Sequence, residues 1–458
     1  MNDFGKPADP MRGAATGSIA GDGTRFVPYW WDAAKPMPTP DTPLPAAVDV
    51  LVVGAGLTGL RAALVLARAG RSVAVIDRED PGFGAARRNA GFLGRVLKKS
   101  FLGLRDARGL SHALRVYREL DAAYQSLMRF IDEERIDCCA ARDGRFVAAT
   151  SPAHYELLAR ELEALHEHLD LPYAMVGRQE VRSELASDSY CGGATIPDLG
   201  SLHPGLYHQG LLARALNAGA LVRGRVEVSG WVRQSGSWRF RVATTAGDVA
   251  ARDVIVATNG YTTPQLAWWS RRLIPFQGYM AATEELSPEL VHRIIPHRRV
   301  IIDTNTNIDF FRRAPDSNRI LFGGATAGGM RSADDIALKM RMILARALPD
   351  LRHVKLSHVW TGFCAGTFDL MPHAGGRDGL WHAMGYNFAG VTMGSYLGEK
   401  IGLQILGDAE GRTVFSEDRF PTMPLYRGKP WFLPAAMQYF DWKDRKTART
   451  PLSRLKAH

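Results

Sequence analysis

Val48-Asp-Val-Leu-Val-Val-Gly-Ala-Gly-Leu-Thr-Gly-Leu-Arg-Ala-Ala-Leu-Val-Leu-Ala-Arg-Ala-Gly-Arg-Ser-Val-Ala-Val-Ile-Asp77 is the segment around which the chain is organised. An apolar run, Val48 to Val53, meets Gly54, Gly56 and Gly59. Leu60, Ala63, Leu64 and Ala67 then recur at helical spacing, Gly70 stops that helix, and a second apolar run ends at Asp77. In a strand–turn–helix–strand unit each glycine has a separate task. Gly54 allows the tight turn, Gly56 lets backbone approach a pyrophosphate, and Gly59 lets the helix pack on the strand. The first helical turn, Ala55, Leu57 and Thr58 included, offers unpaired N–H groups and a positive dipole end to phosphate. Asp77 falls about 20 residues beyond the first glycine, where a carboxylate accepts from a ribose hydroxyl, and Arg78 follows it. A lone glycine fingerprint is weak in a chain with 46 glycines. Here strand, helix, second strand and acid agree, and they predict a bound ADP-containing cofactor.

The 458 residues allow two to three domain-sized units, and 46% hydrophobic content supplies their cores. No run of about 18 uncharged apolar residues occurs, so no membrane span is expected, and the N-terminal residues show no secretory pattern. Cys138, Cys139, Cys191 and Cys364 lack metal-ligand spacing. They read as thiols in a reducing cytoplasm, with no metal site. The net charge of +10 is partly a tail effect: Lys443, Arg445, Lys446, Arg449, Arg454 and Lys456 face one acid, Asp444. No nucleic-acid-binding motif accompanies these charges, and the tail reads as solvated. Lys98–Lys99 stands out, because no lysine follows until Lys339.

Residues 1–46 read as a leader, mobile to about Gly23 and then extended, with Tyr29, Trp30 and Trp31 as anchors. Helices are expected over Ala107–Ile136, Pro152–Leu169 (capped by Ser151), from Ser332 to Ala347 and over Val391–Leu406. Strands are expected around Val222–Val228, Trp238–Thr244, Val254–Tyr261, Ile274–Thr283, Val300–Asp303, Ile308–Arg313, Arg319–Gly323, Val359–Gly362 and Leu380–Gly385. The residues after 410 show too little periodicity for a domain.

Several separated stretches, together spanning about residues 28–442, resemble the D-amino-acid oxidase-like (DAO) family of FAD-dependent oxidoreductases, and most of all its γ-glutamylputrescine oxidase type. The loop Gly84-Ala85-Ala86-Arg87-Arg88-Asn89-Ala90-Gly91 is similar to that type's GASGRNGG, with Ala86 in place of serine and Arg87 and Ala90 in place of glycines. Leu202-His203-Pro204-Gly205, Ala257-Thr258-Asn259-Gly260, Trp360-Thr361-Gly362 with Thr367, Asp369 and Pro372, and Gly385-Tyr386-Asn387 with Gly390-Val391-Thr392 match further family stretches. The resemblance implies an α/β plus α+β chain: a Rossmann-like FAD-binding domain and an antiparallel-sheet substrate domain. Expected boundaries are 47–108, 200–268 and 356–410 for the first, 109–199 and 269–355 for the second, and 411–458 for a C-terminal extension with a basic tail. It implies FAD contacts from the residues of these stretches, with Val226 beside the adenine. The family's tethering cysteine would fall at Gly362, two residues from Cys364, so non-covalent FAD is expected.

The resemblance also implies oxidation of an amine C–N bond to an imine, then hydrolysis, with O2 as electron acceptor. Positioning matters more than a dedicated base in such a step. An acidic group on the substrate is expected to meet Arg95, Lys99 or Arg312, with Asn387 nearby. Two other readings stay open: a dehydrogenase that serves a quinone or protein acceptor, and a non-catalytic FAD-binding subunit.

Overall fold

A computed structural model of the chain describes residues 23–326, 329–330 and 332–449. The expected mobile leader before Gly23, and Arg454 and Lys456 of the tail, lie outside the described residues.

Two eight-stranded sheets organise the molecule. In the first, Leu380–Met384, Val249–Val256, Ala47–Val53, Val73–Ile76 and Leu221–Arg223 run parallel in that order. His373–Arg377 closes one edge antiparallel, and the hairpin Val228–Arg233/Phe240–Thr244 extends from the strand Val249–Val256. From Val50 to Val53 the central strand is buried on both faces, as an unbroken apolar run in a covered parallel sheet must be. One face carries the helices Leu57–Arg68, Leu110–Glu133, Pro204–Asn217 and Gly390–Leu406. The other face packs on Trp269, Leu273 and Phe420.

The second sheet runs Leu356–Gly366, Ile274–Thr283, Ile320–Gly324, Phe310–Arg313, Val300–Asp303, Arg145–Ala148, Gly192–Ile196, Ala174–Gly177. It is antiparallel apart from the parallel pair Val300–Asp303 and Arg145–Ala148. The helix Ala333–Ala347 covers it, started by Ser332, whose hydroxyl accepts from the Asp335 N–H.

Two expected boundaries change. Leu356–Gly366 pairs along its length with Ile274–Thr283, so it belongs to the second sheet and not to the dinucleotide unit. The helix Leu110–Glu133 packs its Val116, Leu120, Ala123 and Leu127 face among Leu60, Leu64 and Leu397, so it sits on the dinucleotide unit. After residue 410 a helix, Leu433–Ala448, forms where periodicity is weak; it buries no residue fully, which is why no apolar stripe announces it. Among the described residues no helix is long and apolar enough to cross a membrane.

Candidate functional site

The first turn of the fold builds one end of a long cavity. Gly54 has φ +113°, and a Cβ there would lie 2.7 Å from the Ala257 carbonyl oxygen. A Cβ at Gly59 would lie 2.0 Å from the Gly54 carbonyl oxygen, so no larger residue lets this helix seat. Gly56 differs: a Cβ there meets no protein atom within 4 Å, because it points into the cavity. No side chain caps the helix Leu57–Arg68 at Gly56, so its first N–H groups stay available there.

Asp77 closes the second strand. Its carboxylate accepts from the Ala55 N–H at 2.8 Å and the Glu79 N–H at 3.0 Å, while burial pushes its pKa up to about 6. Arg78 lines the same region; its buried Nε and Nη1 make no hydrogen bond, and its nearest carboxylate, Glu227, is 4.0 Å away. Val226 is held beside Asp77 by its N–H on the Asp77 carbonyl at 2.8 Å.

The loop Gly84–Gly91 forms the middle. Asn89 knits it, donating to the Ala85 and Ala86 carbonyls and accepting from the Gly91 N–H at 2.8 Å. Two indoles pin it: Trp30 donates to the Asn89 carbonyl at 2.8 Å and Trp360 to the Arg88 carbonyl at 2.9 Å. Trp30 is thereby the expected anchor of the leader. Arg88 donates to the Phe83 and Thr361 carbonyls, across from Gly362.

The late stretches complete the lining beside the first turn. Asn387, with φ +47°, donates to the Gly385 carbonyl at 2.6 Å and accepts from the Thr367 N–H at 3.2 Å. Asn259 accepts from the Gly385 N–H at 2.9 Å, and the Thr58 hydroxyl meets the Tyr386 hydroxyl at 2.6 Å. Gly390 and Val391 start the late helix Gly390–Leu406, again without a side-chain cap, on the cavity wall. Two uncapped helix N-termini thus border one cavity.

That cavity encloses about 1930 Å³ including its open mouth. Of the residues the sequence singles out for the cofactor, Gly54, Gly56, Leu57, Thr58, Asp77, Arg78, Ala86, Arg88, Asn89, Gly91, Val226, Thr258, Asn259, Gly362, Asn387, Gly390 and Val391 line it. Ala55, Gly59, Gly260, Gly385 and Thr392 do not; they hold the framework. Ala55 bonds Asp77 and His208, Gly260 lies against the Cys364 backbone, and the Thr392 hydroxyl accepts from the Gly94 N–H at 3.4 Å. Arg87 turns away from the cavity, onto His208 Nδ1 at 3.0 Å and the Ala34 carbonyl at 2.8 Å.

The expected substrate-binding cations are placed as follows. Arg95 is buried between Asp121 at 2.9 Å and Asp198 at 2.7 Å, so its charge is already matched within the fold. Arg312 lies beneath the loop, on the Ala90 and Leu202 carbonyls at 2.9 Å each. Lys99 does not line the cavity. Adjacent residues face apart, and it is Lys98 that turns inward, donating to the Thr306 carbonyl at 2.9 Å with its ammonium 5.0 Å over the Phe388 ring.

Unanticipated is the wall formed by Phe92, Tyr279, Met280, Ile308, Phe310 and Phe388. Among the described lining residues, formal charge is confined to Asp77, Arg78, Glu79, Glu227 and Arg88, none of them on this wall. Its only sequence signal is apolar alternation in strands that also carry core residues, such as Phe310 beside Phe311.

Glycine cradle, buried carboxylate, buried donors of Arg78 and paired helix N-termini suit a long dinucleotide cofactor with its phosphates at the first turn. These features define a dinucleotide-binding protein. The chain belongs to the FAD dependent oxidoreductase (DAO) family, whose sequence profile matches residues 49–402, and FAD is its cofactor. It is 30% identical over 406 residues to the γ-glutamylputrescine oxidoreductase of Escherichia coli K12, covering 87% of this chain and 93% of that one. Among solved structures, glycine oxidase from Geobacillus kaustophilus superposes with a TM-score of 0.69 at 21% identity, covering 83% of this chain and 99% of that one. Iminodiacetate oxidase from Chelativorans sp. BNC1 gives 0.62 at 19% identity, covering 83% and 98%. At such identities these two likenesses show the fold alone.

Proposed function

We propose that the protein oxidises the C–N bond of a small primary or secondary amine and passes the electrons to O2, releasing peroxide. The observation that carries this reading is the continuity of one cavity from the Gly54–Gly59 turn to an uncharged aromatic wall. Support comes from the relative that acts, by its name, on γ-glutamylputrescine.

Bound FAD supplies a two-electron acceptor for the hydride on the carbon that bears the nitrogen. The chain's own residues do the rest. Gly54, Gly56 and the N-terminus at Leu57 would hold phosphate, and Asp77 would take ribose hydroxyls. The uncapped start of the late helix favours negative charge nearby. The wall from Tyr279 to Phe388 excludes water. By desolvation it lowers the pKa of an entering ammonium, which favours the neutral amine that hydride loss requires. No His, Lys, Asp or Glu stands on that wall among the described residues, so orientation replaces a general base. Tyr279 is no base either: its hydroxyl donates to Gln277 at 2.9 Å, and burial pushes it up to about 12.

The wall also favours an amine whose reacting end is uncharged apart from nitrogen, rather than one gripped there through an acidic group. The test is air oxidation of γ-glutamylputrescine, N-methyl amino acids, polyamines and aminophosphonates, with peroxide as readout. Equimolar peroxide and aldehyde or oxo acid support the oxidase. Flavin reduction without peroxide transfers the electrons to another acceptor and overturns that part.

A further inference from the structure

The single acid of the basic tail, Asp444, reaches back to Thr306, two residues from the cavity-lining Ile308. It sits on the C-terminal helix Leu433–Ala448, beyond the residues that the family profile matches. Its two carboxylate oxygens accept from the Thr306 N–H and the Thr306 hydroxyl, each at 2.8 Å. The carbonyl of the same Thr306 accepts from the Lys98 ammonium at 2.9 Å. One residue is therefore gripped from both sides, by an anion on its donors and by a cation on its acceptor. Such charge-assisted bonds are the stronger class.

What Thr306 carries is the substrate wall. Ile308, two residues on, lines the cavity, and so does Phe388, whose ring lies 5.0 Å under the Lys98 ammonium and 5.0 Å from the Phe276 ring. Phe388 has φ +80° and follows Asn387 at φ +47°. Two successive side-chain-bearing residues in the left-handed region persist only where their surroundings hold them. Thr367 holds Asn387; Lys98 and Phe276 hold the Phe388 ring.

We infer that Asp444 is a positioning residue for the substrate wall: through Thr306 and Lys98 it fixes Ile308 and Phe388, so the C-terminal helix sets how tightly the reacting end of the amine is held. This rests on the reading of the cavity as the amine site. Asp444 acts at a distance, so its loss weakens substrate binding and leaves FAD binding intact.

Two readouts on FAD-loaded full-length protein test this, with Asp444→Ala, Asp444→Glu and Lys98→Met. The first is amide hydrogen exchange. In Asp444→Ala the segment 304–308 exchanges at least roughly tenfold faster, since the Thr306 N–H loses its acceptor, and 386–389 speeds up with it; an unchanged 386–389 overturns the link to Phe388. In Lys98→Met both 304–308 and 386–389 speed up, while the strand Ala47–Val53 is unchanged. The second is turnover of γ-glutamylputrescine. KM rises about tenfold in Asp444→Ala with kcat within about twofold, Asp444→Glu recovers part of it, and the Asp444→Ala/Lys98→Met double variant costs less than the product of the single effects, because both act through Thr306. Unchanged exchange at 304–308 overturns the inference. So does faster exchange with unchanged KM, or a loss of FAD that parallels the loss of turnover. If wild-type protein leaves γ-glutamylputrescine untouched, the proposed substrate falls, and exchange at both segments alone decides whether Asp444 holds the wall.

Discussion

Gly398 of the late helix lies against the Thr58 carbonyl of the first helix so closely that a Cβ would come within 2.4 Å of that oxygen. Gly394 and Gly402, one turn either side, face side chains: a Cβ would lie 3.2 Å from the Thr58 hydroxyl and 2.9 Å from the Val65 Cβ. This glycine seam lets the two helices pack closely, with backbone contact at Gly398, and brings both uncapped N-termini to one cavity. Gly398→Ala puts a methyl where backbone already is. Overpacking of this kind costs about 1 to 3 kcal/mol. We expect a lower Tm, and FAD content that falls more than Tm alone explains, because the two N-termini separate. Calorimetry and the flavin-to-protein ratio check this; equal stability and full flavin contradict the seam's role.

Gly56→Val acts by the opposite route. The new side chain meets no protein atom within 4 Å of its Cβ, so the apoprotein still folds, while the branch fills the space for pyrophosphate. The expected outcome is a colourless, folded protein, seen by circular dichroism and absorbance. Wild-type protein should release its FAD on acid precipitation, since burial pushes the Cys364 thiol up to about 12 and leaves it a poor nucleophile.

Asp77 makes FAD affinity pH-dependent. Its folded pKa is raised from 3.8 to about 6, so the folded apoprotein binds this proton more tightly than the unfolded chain does. Ionising it therefore works against folding by up to about 3 kcal/mol above pH 6, and apoprotein stability rises as pH falls from 6 toward 4. In the proposed arrangement ribose hydroxyls would donate to the carboxylate, so FAD should favour the ionised form and its affinity should rise with pH through about 6. Titration of apoprotein with FAD between pH 5 and 8 (a span chosen around that value) tests the sign. Asp77→Asn should flatten both dependences; a pH-independent Kd in wild type would contradict the assignment.

Arg95→Met and Lys99→Met should separate structure from function. Arg95 is held between Asp121 and Asp198, both partly exposed, so its loss strands carboxylates that water can still reach. That reduces the usual 3 to 5 kcal/mol for a broken buried pair to about 1 to 3 kcal/mol. Tm should fall while kcat/KM of the remaining folded enzyme stays near wild type. Lys99→Met should change neither. A selective rise in KM for either variant would return that residue to the substrate site.

The dinucleotide half was legible because its chemistry constrains residue types locally. Gly54, Gly56, Gly59 and Asp77 each answer a steric or hydrogen-bonding need set within thirty residues of chain. The late stretches were legible through family resemblance, since nothing local joins Asn387 to Thr367 or Tyr386 to Thr58. The substrate wall was not legible. Phe310 and Phe311 are alike in sequence, and only the pairing of Phe310–Arg313 with Ile320–Gly324 and Val300–Asp303 sends one to the cavity and the other to the core. Nor could the sequence tell which lysine of Lys98–Lys99 turns inward. That depends on Thr306, more than two hundred residues later.

In the proposed reading one cavity holds FAD and, against its aromatic wall, an amine. Anaerobic addition of γ-glutamylputrescine to purified FAD-loaded protein tests it most directly. The expected result is stoichiometric bleaching of the oxidised flavin, full recovery of colour on admission of air, and one peroxide per turnover. Protein that carries no flavin, or flavin that neither this compound nor any of the other amines bleaches, would contradict it.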